Sequence, residues 1–166
     1  TSKVTTTVQV TTTQQVSVAS VNAASTTASD TTSVKKQTKY EANVASIAGK
    51  MDNRVLAAFQ QLGFKVVVDP SVNYSGYFAA QTRSITMKQV DDSIYHELGH
   101  FLAFIAGNID KTASFQSIFA AEKGNVTSFN KAYVTQNSSE YFAESVKDYI
   151  LNNASLKSSR PQTYAA

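Results

Sequence analysis

Residues 93–107, SIYHELGHFLAFIAG, constrain the chain more than any other stretch. Apolar residues recur there at helical spacing round most of the cylinder, so the segment reads as a helix enclosed by the rest of the fold. Into it are set both of the chain's histidines, His96 and His100, with Glu97 directly after the first. Residues four apart stand one above the other on a helix, so the two imidazoles share a face. Two histidines and a carboxylate desolvated together are costly unless something satisfies them. The fold must supply that face with partners or with an ion.

An ion accounts for all three residues. Imidazoles at i and i+4 can both present a nitrogen to one zinc, and Glu97 then projects beside the metal, placed to take a proton from an activated water. Leu98, Phe101, Leu102 and Ile105 supply the anchoring face. Gly99 costs about 1 kcal/mol of helix stability relative to Ala, which a close approach of neighbouring backbone would explain. With both histidines used and no Cys in the chain, the third ligand must be an oxygen donor, and the metzincin arrangement with its third His is excluded. The downstream acids are Asp110, Glu122, Glu140, Glu144 and Asp148. Asp110 follows the same helix too closely to swing back. Glu122 is either a thermolysin-like ligand or a solvated acid at a helix end. Glu140 and Glu144, in SSEYFAES, stand at i and i+4 of a final helix expected over about 138–152; one can bind zinc while the other hydrogen-bonds a ligand histidine from behind. A solvent-facing acidic pair is the plain alternative.

Around these segments the chain divides by composition. Residues 1–38 are dominated by Thr, Ser, Val, Ala and Gln and read as a low-complexity spacer, although Val4, Val8, Val10, Val16 and Val18 fall at even spacings that would suit a strand. Residues 39–166 form the expected domain. Tyr40, Val44, Ile47, Met51, Val55, Phe59 and Leu62 recur every three or four residues, as the buried face of one long helix or of two, with Asp52 available to cap a second and Gly63 to end it. FKVVVD is a strand stopped by Pro70, and YFAA and SITM flank a polar turn as a hairpin or edge ribbon. Further helix is expected around 112–122, and the tail SSRPQTYAA reads as loose.

Charge narrows the function. The net charge is +3 and the only adjacent basic pair is Lys35 and Lys36, without the basic stripe and interleaved aromatics of a nucleic-acid surface. No run approaches the roughly eighteen apolar residues of a membrane span. Oligomeric state is not readable.

HELGH followed by EYFAE resembles the lethal-factor-like metallopeptidases, the group of anthrax lethal factor's catalytic domain and the secreted clostridial Pro-Pro endopeptidases. The likeness covers roughly residues 40–155 by organisation, with only the two motif segments sharp. It implies an α+β fold, a compact zincin-like metallopeptidase domain with an N-terminal helix, a small twisted sheet, the active-site helix and a helical C-terminal lobe. It implies Zn2+ as cofactor, Glu140 as third ligand beside His96 and His100, and Glu144 as the acid supporting a ligand histidine. Tyr133, seven residues before Glu140 in KAYVTQNSSE, takes the position of a tyrosine that lies over the zinc and stabilises the oxyanion, with Glu97 as catalytic base. The expected function is a secreted or surface-located bacterial zinc endopeptidase whose protein or peptide substrate pairs as an added strand along the ribbon edge near residues 77–88. Tyr74, Tyr77 and Phe78 either line that cleft or belong to the core. A preference for proline rests on the resemblance alone. The competing classes are a zincin-like binding or adhesion module, against which the presence of Glu97 argues, and a zinc amidase acting on a nonpeptide substrate.

Overall fold

A computed structural model describes residues 37–166; the spacer assigned to 1–38 therefore lies outside the described residues except for Gln37 and Thr38. The fold is α+β. It opens with a short strand, β1 (Tyr40–Ala42), then α1 (Val44–Ile47) and α2 (Asn53–Gln61). Tyr40 thus belongs to a strand and not to the expected helix, because its backbone pairs with Val68. The helical spacing holds only from Val44 to Phe59, where Val44, Met51, Leu56 and Phe59 are buried while Tyr40 and Leu62 are exposed. Asn43 caps α1 and Asp52 caps α2, the latter accepting from the Arg54 N–H at 2.8 Å. Gly63, at φ +76°, turns the chain out of α2 in the left-handed conformation.

Strands β2 (Lys65–Val68), β3 (Gly76–Ala79) and β4 (Ser84–Met87) complete a four-stranded sheet in the order β1-β2-β4-β3. β3 and β4 form the expected antiparallel hairpin, and β2 runs parallel to β4 with Val66 opposite Ile85 and Val68 opposite Met87. All four of those side chains are buried. β4 is an interior strand, so the free edge of the ribbon is β3 alone and not the whole of 77–88. The Ser75 carbonyl accepts from the Lys88 N–H at 3.1 Å. By the alternation of an antiparallel ladder, Tyr77 and Ala79 also turn their backbone groups toward β4, whereas Gly76 and Phe78 turn theirs to the free edge.

Against this sheet lies α3 (Ser93–Ile105), which contains the histidines. Leu98 and Phe101 are fully buried, and Phe101 meets Phe59 and Phe64 with ring centroids 5.1 and 5.0 Å apart. Burial of each such side chain stabilises the helix on the sheet by about 1.5–3 kcal/mol. The helix stops where expected, with Gly107 and Asn108 both at positive φ. Its other side packs on α6 (Ser138–Leu151). A Cβ on Gly99 would stand 2.7 Å from Ala143 Cα, so the helix accepts a glycine because two backbones meet there.

The remaining helices are α4 (Ala113–Glu122), α5 (Lys131–Val134), α7 (Asn153–Ser159) and α8 (Pro161–Ala165). The tail expected to be loose is ordered into the last two. Arg160 and Thr163 are buried, Arg160 pairs with Asp148, and the Tyr141 and Thr163 hydroxyls lie 2.6 Å apart. Glu122 is neither a zinc ligand nor a solvated acid. Its carboxylate accepts from the Gln162 and Thr163 backbone N–H groups, each at 2.9 Å, and so satisfies the first turn of α8. Burial acts to raise the Glu122 carboxyl, but a hydrogen bond from the Thr163 hydroxyl at 2.6 Å, with the two backbone ones, outweighs it and holds its pKa below the ordinary value. No helix among the described residues is long and apolar enough to cross a membrane.

Candidate metal centre

α3 and α6 carry the site between them. α3 begins over Asp91, whose carboxylate accepts from the Ser93 N–H at 3.0 Å and from the Ser93 hydroxyl. α6 begins at Asn137, whose side chain accepts from the Glu140 N–H at 2.8 Å. This cap fixes the first turn of α6 at the residue that faces the histidines.

His96 Nε2 lies 3.0 Å and His100 Nε2 3.4 Å from the same Glu140 oxygen. On the other side of the His96 ring, Nδ1 lies 2.8 Å from Glu144 Oε2. The i, i+4 acids of α6 therefore both face inward, and the solvent-facing alternative is excluded. Glu97 is buried beside them, against β3. Tyr133, on α5, is half exposed, with its ring 6.5 Å from that of His96. Six residues singled out in sequence thus meet in one place. Asp148 is elsewhere, paired with Arg160. Tyr74 and Tyr77 lie side by side on the surface with centroids 5.9 Å apart, whereas Phe78 packs between Phe64 and the His100 ring.

The electrostatics of the cluster follow from its burial. For His96, desolvation disfavours the charged ring, but hydrogen bonds to Glu140 and Glu144 prevail and raise its pKa to about 9 in the chain alone. Burial likewise opposes ionisation of Glu140, yet His100 and His96 bring its pKa down to about 2. Glu144 is lowered despite burial, by His96 and by Lys147, whose ammonium lies 3.5 Å away. Glu97 moves the other way, because desolvation dominates over its histidine neighbours. Burial and the charges of Glu140 and Glu97 raise the Tyr133 phenol.

This donor set fits zinc. One nitrogen of each histidine and one Glu140 oxygen lie within 4.8 Å of one another. Ligands at tetrahedral angles and bond lengths of ~2.0–2.1 Å are separated by about 3.3 Å, close to the 3.0 and 3.4 Å between the Nε2 atoms and Glu140. With both imidazoles neutral, as ligands must be, the ionised Glu97, Glu140 and Glu144 carboxylates outweigh the Lys147 ammonium 3.5 Å from Glu144 and leave a net negative charge. A divalent cation neutralises it. Glu144 accepting from Nδ1–H leaves His96 Nε2 free to be a ligand.

Sequence reasoning set Asp110 aside as a ligand, and the structure gives it another role. It is buried, accepts from the Ser139 hydroxyl through one oxygen, and has no protein partner for Oδ1. It thereby ties the turn after α3 to the residue preceding Glu140. Only the fold brings these two together; across their separation of 29 positions the sequence carries no signal of it.

The chain is similar to known proteins in family and in fold. A family model described as "Anthrax toxin lethal factor, N- and C-terminal domain" matches residues 2–165, reaching through the Thr/Ser-rich start beyond the 40–155 covered by the resemblance in organisation. Among solved structures, the chain is similar to the Pro-Pro endopeptidase PPEP-2 from Paenibacillus alvei. The TM-score is 0.59 at 20% identity, over 74% of this chain and 88% of that one, which is a likeness of fold. A comparison with curated proteins returns no match.

Proposed function

The chain belongs to the anthrax toxin lethal factor family, and from that premise we propose that it is a zinc-dependent endopeptidase in which His96, His100 and Glu140 hold the metal. The observation that carries this reading is the convergence of the two imidazoles and the Glu140 carboxylate with a fourth group, Glu97, buried beside them and not among the ligands. Three protein ligands leave a coordination position open, as catalytic zinc requires and structural zinc does not. Bound there, zinc supplies a Lewis acid that polarises the scissile carbonyl and makes water acidic.

The protein groups do the rest. Glu97 takes the proton of the attacking water and returns it to the leaving amine, and the burial that raises its pKa makes it a stronger base. Tyr133 donates a hydrogen bond to the tetrahedral oxyanion; its own raised pKa keeps it protonated for that role. Tyr133→Phe is expected to retain zinc and lower kcat by ~10²–10³-fold; unchanged turnover would remove Tyr133 from the mechanism. Glu144 holds His96 in the tautomer that offers Nε2, so Glu144→Gln is expected to weaken zinc ~10–100-fold in chelator competition. Equal affinity would reduce Glu144 to packing.

The peptide lies along β3, adding a strand to its outward Gly76 backbone groups and Phe78 carbonyl, the Phe78 N–H being turned to Glu97. Tyr74 and Tyr77 flank that edge and would meet its side chains. Secretion or surface location in a bacterium is part of the same proposal and rests on the family likeness. The test is a mixed peptide library incubated with the protein, new termini being identified by mass spectrometry. Cleavage that stops with a chelator and returns with zinc supports the reading, and no new termini at full zinc loading would overturn it.

A further inference from the structure

We propose that Gly76, at the start of β3, is a positioning residue for Glu97, its missing side chain being the space in which the base is held. A Cβ built on Gly76 would stand 2.8 Å from Glu97 Oε1, 2.9 Å from Cγ and 3.1 Å from Cδ. The carboxylate and its stem therefore lie directly over the bare Cα. Backbone conformation does not demand this glycine: among the described residues the glycines at positive φ are Gly63 and Gly107. A glycine inside a strand weakens it and marks a close approach. Here the approaching group is the side chain of Glu97.

Three further observations make the contact directional. Glu97 is 6% exposed, so it has no open route by which to swing away. Its helix is fixed on the far side by the backbone contact between Gly99 and Ala143, so α3 cannot retreat from the sheet to relieve a clash. Two residues along β3, Phe78 carries its N–H on the same free-edge side, and this N–H acts on the Glu97 carboxylate. One strand thus confines the Glu97 stem with an absent side chain. A methyl group at 76 would force the carboxylate sideways by a fraction of an ångström to an ångström, since the three atoms nearest to it all belong to Glu97.

The rate consequence rests on Glu97 being the general base, whereas the contact itself does not. The experiment is a cycle of Gly76→Ala, Glu97→Ala and the double variant, read by melting temperature, with zinc affinity and steady-state kinetics measured for Gly76→Ala. Gly76→Ala is expected to melt a few degrees lower, to keep zinc affinity within about twofold of the parent, and to lose kcat by ~10²-fold at little-changed KM, the effect of an ångström's misplacement. In the Glu97→Ala background the same substitution should cost nothing, or stabilise the strand. An equal loss of melting temperature in both backgrounds, failure of the double variant to fold, or an unchanged kcat would each overturn the proposal. Should the parent cleave no peptide, the endopeptidase reading fails, and the melting cycle still decides whether Gly76 exists to seat Glu97.

Discussion

Glu97→Gln is expected to lose at least about 10³-fold in turnover while binding zinc as the parent does. General-base catalysis by a positioned side chain contributes ~10²–10⁴-fold, and the upper part of that range applies because the site offers no substitute. Glu140 and Glu144, the neighbouring carboxylates, are both committed to histidines. Gln preserves the shape of the side chain, so the packing against Gly76 survives and the loss reports chemistry. In the peptide library the parent alone should generate new termini. Equal cleavage by the two forms would show that Glu97 is not the base. Cleavage by neither, with zinc bound to both, would leave the fold as a binding scaffold.

Glu140→Ala is expected to abolish zinc binding under conditions that saturate the parent. Changing an outer partner of a ligand typically costs 10–100-fold in affinity; removing one of three ligands must cost more, because two imidazoles on one helix turn remain without an anionic donor. Metal binding to the native state alone stabilises it by mass action, by about 2.7 kcal/mol at a free metal concentration of 100 Kd. The parent should therefore melt higher with zinc, and Glu140→Ala should show no such shift. The substitution also leaves His96 and His100 without their shared partner, so some stability will be lost without metal. The diagnostic quantity is the disappearance of the zinc-induced increment. Stoichiometric zinc in the variant, with the increment intact, would place the third ligand elsewhere.

The parts of this molecule legible in its sequence are those where local spacing and tertiary role coincide. HELGH and EYFAE lie on helices, where a separation of four residues puts side chains on one face regardless of surroundings. Asp52 and Gly63 act within their own helix, so their capping roles needed only neighbouring residues. Tyr40 was misread because its spacing continues a helical series, while pairing to Val68 prevails over that weak local preference. The tail was misread for a related reason. SSRPQTYAA has little apolar content, and its order comes from Glu122, Tyr141 and Asp148, which act across 12 to 41 residues. Its one local cue was Pro161, which suits the first turn of a helix. Gly76 was silent because nothing in a sequence says which side chain lies over a strand glycine.

The ordered tail gives α6 an unusual mechanical situation. On one flank the helix presents Glu140 and Glu144 to the histidines, and on another Tyr141, Ser145 and Asp148 are held by Thr163 and Arg160. The clasp that closes this second grip is anchored in turn by Glu122 at the end of α4. Force on residues 160–166 is therefore transmitted through one helix to Glu140, the proposed metal ligand, although those residues do not touch the histidines. Cutting or fusing the chain there would act as a lever on Glu140, and the final turn is better regarded as the outer wall of the proposed site than as its appendage.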